Sequence, residues 1–174
     1  MGDKAVTEGW AFLFEHLVDN PAWLTRRLDF PRPHEFSAEG AAILLLIVRR
    51  YCAKLLYELD LFTAPDPLAM RSRYVELLGD ALKIEPNPAN YLADIDSGFY
   101  VTEYLRSWAF EAQLRAYLRE RFGNTWFTKR EAGSLLRELW AEGQRPNADE
   151  LLKDVTGAEL AMSAVADRVA EEIG

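Results

Sequence analysis

The sequence is short of several things at once, and each shortage excludes something. It holds one cysteine, Cys52, so neither an intramolecular disulfide framework nor a cysteine-based zinc cluster can form. That usage fits a reducing compartment. The longest apolar run, Ala41 to Val48, stops at Arg49 and Arg50. A bilayer crossing takes about 18 to 20 such residues, so no membrane partner is expected. The opening Met-Gly-Asp-Lys-Ala-Val lacks a secretory apolar core and the Ser or Thr that ends a myristoylation signal. The expected location is the cytoplasm. Basic residues are in deficit too, with 20 Lys and Arg against 28 Asp and Glu and a net charge of -8. Nucleic-acid binding runs on neutralising phosphates with cations, so no such partner is expected. There is no glycine loop of the phosphate-cradling kind, and no Ser-His-Asp or Cys-His arrangement stands out.

What is present is apolar and aromatic. Hydrophobic residues make up 49% of the 174, with five Trp, seven Tyr and nine Phe. That suffices for a core at this length and matches one domain over residues 1–174. Period-two alternation is absent, and apolar residues recur at helical spacing. The expectation is an all-α, bundle-like lobe of about seven to eight helices with no substantial sheet.

Punctuation sets the expected boundaries. An apolar first helix starts near Ala5. Asn20-Pro21 reads as N-cap and first helical residue of a short helix to Leu28. Pro31 and Pro33 break the chain before a long helix from about Ser37 to Phe62. Asp66-Pro67 opens a helix to about Lys83. Pro86, Pro88 and Asn90 mark a loop, in which Asp94, Asp96 and Ser97 are expected to cap a helix from Gly98 to Phe122. Gly123-Asn124 stops it. Thr128 to Glu131 reads as a capping box for a helix to Glu142. Asn147 caps a short helix to Val155, and Thr156 to Glu159 reads as a second box that opens the last one.

The first helix carries Glu8 and Glu15. Seven residues turn a helix through about 700°, so both carboxylates share one face, two turns apart. A solvated helix face is one reading. The other is a metal ligand with a second carboxylate behind it, because charges among Trp10, Phe12 and Leu13 need a partner. Farther on, Val101, Leu105, Trp108 and Ala112 form a core stripe. Tyr100, Tyr104 and Glu111 lie beside it. Tyr100 and Tyr104 are one turn apart, suited either to packing or to donating hydrogen bonds to a developing oxyanion. The remaining chemistry-bearing residues read plainly. His16 is a surface or boundary residue, and His34 belongs to a loop. Lys54 pairs with Glu58 one turn on. Arg119, Glu120 and Arg121 form a solvated face. Cys52 is a buried thiol.

Two of these segments together resemble the oligoendopeptidase F and thimet oligopeptidase group of zinc metallopeptidases. Val6-Thr7-Glu8, with Glu15 seven residues later, is similar to that group's glutamate helix. Phe99-Tyr100-Val101-Thr102-Glu103-Tyr104 is similar to its tyrosine helix, in the same order and about 90 residues on. The resemblance spans Lys4 to Phe122. It implies that Glu8 is the third zinc ligand of a parent enzyme, that Glu15 braces a histidine ligand, and that Tyr100 or Tyr104 stabilises the oxyanion of a cleaved peptide. The group's His-Glu-x-x-His pair has no counterpart around His16 or His34. The resemblance therefore implies the C-terminal catalytic-lobe piece of a longer peptidase, inactive and without tight zinc by itself. Such a piece would expose apolar surface and self-associate. The alternative is a non-enzymatic helical module that binds proteins or peptides.

Overall fold

The computed structural model describes residues 2–174, and among them it is helical with no strand. Eight α-helices follow in chain order: α1 Lys4–Glu15, α2 Pro21–Leu28, α3 Pro33–Thr63, α4 Arg71–Leu82, α5 Val101–Phe122, α6 Arg130–Glu142, α7 Ala148–Thr156 and α8 Ser163–Ile173. Short 3-10 turns join several of them. The all-α expectation is met, and so is its helix count.

Local chemistry explains most boundaries. The Asp3 side chain accepts from the Ala5 N–H at 3.0 Å and caps α1. Asn20 accepts from the Trp23 N–H at 3.1 Å, with Pro21 in the first turn of α2. Asn147 and Glu150 form a complete capping box on α7. Other boundaries differ from the sequence reading. The long helix α3 starts at Pro33, so His34 lies in its first turn and not in a loop. Asp66 caps only the 3-10 turn Pro67–Met70 that precedes α4. Thr128 does not cap α6. Its hydroxyl donates to the Thr125 carbonyl at 2.8 Å, and Lys129 takes the N-cap position without a side-chain bond. Thr156 ends α7, and left-handed Gly157 closes that helix. The last helix accordingly begins at Ser163.

Three core clusters hold the helices. Val6 and Leu13 of α1 meet Phe110, Leu114 and Leu118 of α5, with Leu136 of α6 and Leu152 of α7 behind them. Tyr57, Leu61, Tyr74 and Leu78 join α3 to α4. Leu105, Trp108 and Val165 join α5 to α8, with Leu44, Tyr51 and Leu55 of α3 packed against them. The helix α1 lies very close to α5 at Gly9, where an added Cβ would sit 2.5 Å from the Phe110 ring. That contact and a charge clamp fix how α1 lies on α5. Arg106 of α5 grips Asp3 through two bonds of 3.0 and 2.9 Å and also reaches Asp149 of α7 at 2.6 Å.

The buried polar centre is an ion network. Glu111 has no solvent exposure. It accepts from Arg115 at 3.0 Å and from Arg168 of α8 at 2.6 Å. Arg168 also hydrogen-bonds the His16 Nδ1. His16 is 4% exposed, which corrects its assignment as a surface residue. Arg119 is likewise not a simply solvated side chain, since it holds Glu171 of α8 at 3.1 and 2.7 Å. These charges face a neighbouring helix that the local sequence does not reveal.

Candidate active site

The close approach of α1 and α5 brings Glu8 against the start of α5. The Tyr100 hydroxyl donates to Glu8 Oε1 at 2.9 Å. The Tyr100 and Tyr104 rings meet edge to face at 5.2 Å. Lys4 sits 4.5 Å above the Tyr100 ring. Tyr104 rests on an aromatic platform of Phe12, Tyr51 and Trp108, with centroid separations of 6.1, 5.4 and 6.1 Å. The stripe beneath both phenols is in the core, with Val101, Leu105, Trp108 and Ala112 all buried, so the two hydroxyl-bearing rings are held from below.

The charge of Glu8 acts on its neighbours. The hydrogen bond to Glu8, with burial and its charge added, pushes the Tyr100 phenol up to about 12. Burial, followed by the Glu8 charge, raises Tyr104 as well. Both phenols are therefore neutral donors across the physiological range, the form that oxyanion stabilisation requires.

The chain enters this site through a tightly held turn. Gly98 and Phe99 both have positive φ, 66° and 55°, which is why α5 starts at Val101 and not at Gly98. The aspartates ahead of the turn do not cap α5 as expected. Asp94 accepts from Arg50 at 2.5 Å and from Tyr74 at 2.9 Å, and Asp96 pairs with Lys54 at 3.0 Å. Lys54 thus pairs with the loop and not with Glu58. Glu58 is buried and accepts from the Asp96 N–H at 2.7 Å. Arg50, Lys54 and Glu58 of α3 together pin the segment that delivers Tyr100. Charged residues in a long apolar helix were the available signal, but their partners are about 40 residues away.

Glu15 does not reach this group. It lies two turns farther along α1, about 10 Å at 1.5 Å per residue, and is exposed on the rim of a separate cavity. Cys52 is exposed on α3 and not buried.

No family model, curated protein or solved structure matches this chain. The site must therefore be read from its own residues. Among the described residues no group of three or more His, Cys, Asp or Glu side chains is placed to hold a metal ion. Glu8 is one carboxylate with a phenol on it, and His16 is turned into the ion network on the far side of α1's last turn. The residues present do not by themselves fit zinc, which takes three or four protein ligands.

Proposed function

We propose that this chain supplies one wall of a zinc-peptidase active centre, whose histidine ligands and general base lie outside this sequence. The observation that carries the reading is the 2.9 Å contact of Tyr100 with Glu8, beside a second phenol. A carboxylate and two neutral hydroxyl donors, brought together from helices about 90 positions apart, form a group that packing alone does not require. When bound in such a centre, zinc would activate a water and polarise a peptide carbonyl. The roles of this chain are then to offer Glu8 as a ligand and to hold Tyr100 and Tyr104 as neutral donors. Glu15 is set apart from these three residues and is not a ligand in this reading. The substrate class is peptides.

The test is to join the chain to an upstream segment that carries His-Glu-x-x-His and follow peptide hydrolysis with and without a chelator. Chelator-sensitive cleavage, lost in Glu8→Gln and reduced in Tyr100→Phe, is the expected result. Titration calorimetry on the chain alone should show no stoichiometric submicromolar zinc. If it does, the division of ligands is wrong.

A second reading has its own observation. Leu45, Leu46, Leu56, Leu59 and Phe62 of α3 are all exposed, and exposed apolar patches mark interaction sites. This favours a helical interaction module, or self-association of the lobe.

A further inference from the structure

A cavity of about 260 Å³ opens between the end of α1, the first half of α3, α5 and α8. Its walls are Phe12, Ile43, Ile47 and Trp108, and its rim carries Glu15 and Asp19. Phe12 and Trp108 stack at 5.5 Å. Both also belong to the platform under Tyr104, so the cavity shares two rings with the packing beneath the candidate site. The two carboxylates have no cation of their own among the described residues. Arg168 also lines the cavity, but its guanidinium is paired with Glu111 and Glu172 at 2.6 and 3.4 Å. Burial pushes the Asp19 carboxyl up, and the charge of Arg168 offsets part of that rise. His16 also lines the cavity. With its Nδ1 bonded to Arg168, its ring is neutral and adds no positive charge.

We infer that this cavity is a subsite for a basic side chain, one with an aliphatic stem and a cationic head. The stem would lie along Ile43, Ile47 and the Trp108 edge, and the head would meet Glu15 and Asp19. Aromatic faces favour such a head as well. A neutral apolar side chain would desolvate Asp19 further and give it no hydrogen-bond partner, which is costly. A carboxylate ligand would meet two like charges. The assignment rests on the peptide-substrate reading for its natural occupant, and it gives that substrate class a preference for a lysine-like or arginine-like residue. Ile43 is 60% exposed, leaving the mouth open to an extended chain.

The test uses the full chain without zinc. Nα-acetyl-lysine amide, Nα-acetyl-norleucine amide and n-butylammonium are titrated against it, with the Trp108 indole resonance as readout. The lysine amide should saturate and bind roughly tenfold tighter than the neutral norleucine isostere, and added salt should weaken it. Asp19→Asn and Glu15→Gln should each narrow that preference. Glu15 is exposed, so its variant folds even where that of Asp19 does not. Equal binding of n-butylammonium and the lysine amide would support cation recognition from a free amine. Tighter binding of the amide supports a peptide side chain. Equal affinity for lysine and norleucine amides, or no saturation of either at millimolar concentration, overturns the subsite. Cleavage is not measured here, so failure of the peptidase reading and failure of this one are separable.

Discussion

Tyr100 is where the charge of Glu8 becomes measurable. A phenol that donates to a carboxylate is held neutral, since its anion would face a like charge. Replacing the carboxylate removes both effects. In Glu8→Gln, one tyrosine of seven should titrate nearer the usual value of about 10, against about 12 in the parent chain. Ultraviolet titration shows this as an added phenolate step at lower pH, absent in Glu8→Gln/Tyr100→Phe. An unchanged titration would mean that the bond does not form in solution. His16 gives the second residue-scale prediction. Burial first, then Arg168, Arg115 and Arg119, drive its pKa far below the usual value. The unfolded chain takes up a proton near 6.5 and the folded chain does not, so the stability His16 contributes is present above that pH and is lost below it. The loss runs at about 1.4 kcal/mol per pH unit. His16→Gln keeps an acceptor for Arg168 but cannot titrate. Denaturant unfolding from pH 7 to 5 should show the gap between the two chains shifting by that slope in favour of the variant as pH falls. Parallel curves would contradict the buried neutral ring.

At the scale of elements, caps and buried pairs set the helices. Asn147→Ala removes the side-chain half of the α7 capping box and should cost about 1 kcal/mol in denaturant unfolding. Glu111→Ala leaves Arg115 and Arg168 buried without their shared carboxylate. It should cost about 3 to 5 kcal/mol, and amide exchange should report the release of α8 ahead of global unfolding. The contrast between these two sites also marks what was legible in the sequence. Asn147, Asn20-Pro21 and the Val101–Ala112 stripe act within a few residues of themselves, so spacing alone located α7, α2 and the core face of α5. The boxes at Thr128 and Thr156 have the right letters, but a 3-10 turn and left-handed Gly157 took precedence. His16, Lys54 and Glu58 were misread for one reason. Each is a polar residue on a helix, and whether it faces water or a partner depends on α8 or on the 94–96 loop. In the candidate site, the pairing of Tyr100 with Tyr104 follows from one helical turn. Their meeting with Glu8 depends on how α1 lies along α5, which Gly9 and Arg106 decide and no local pattern states. The set-apart position of Glu15 has a related cause, since a shared helix face does not bring two residues two turns apart to one point.

The whole molecule is asymmetric in how its helices are covered. Both α1 and α5 are packed along their length, whereas α3 leaves one flank open. That helix is 31 residues long, about 46 Å. Along it, Leu45, Cys52, Leu56 and Leu59 are all exposed, at steps of seven, four and three. Such steps place them on one stripe, the seam spacing of paired helices. The stripe is no accident of a loosely packed helix, because Ala53, Tyr57 and Leu61 on the adjoining face are buried. Leu56 and Leu59 remain about half exposed, at 53% and 47%, and burying such side chains contributes about 1.5 to 3 kcal/mol each when complete. A partner helix or a second copy laid on the stripe would recover that energy. In sedimentation equilibrium the chain alone should therefore show a mass that rises with concentration. Leu45→Glu/Leu56→Glu should hold it monomeric with unchanged helix content by circular dichroism, because both positions face solvent in the monomer. A monomer across the full range for the unaltered chain would show that an open apolar flank is tolerated here. It would leave the seam with no role in self-association, and the cluster of Glu8, Tyr100 and Tyr104, which uses none of these residues, would stand unaffected.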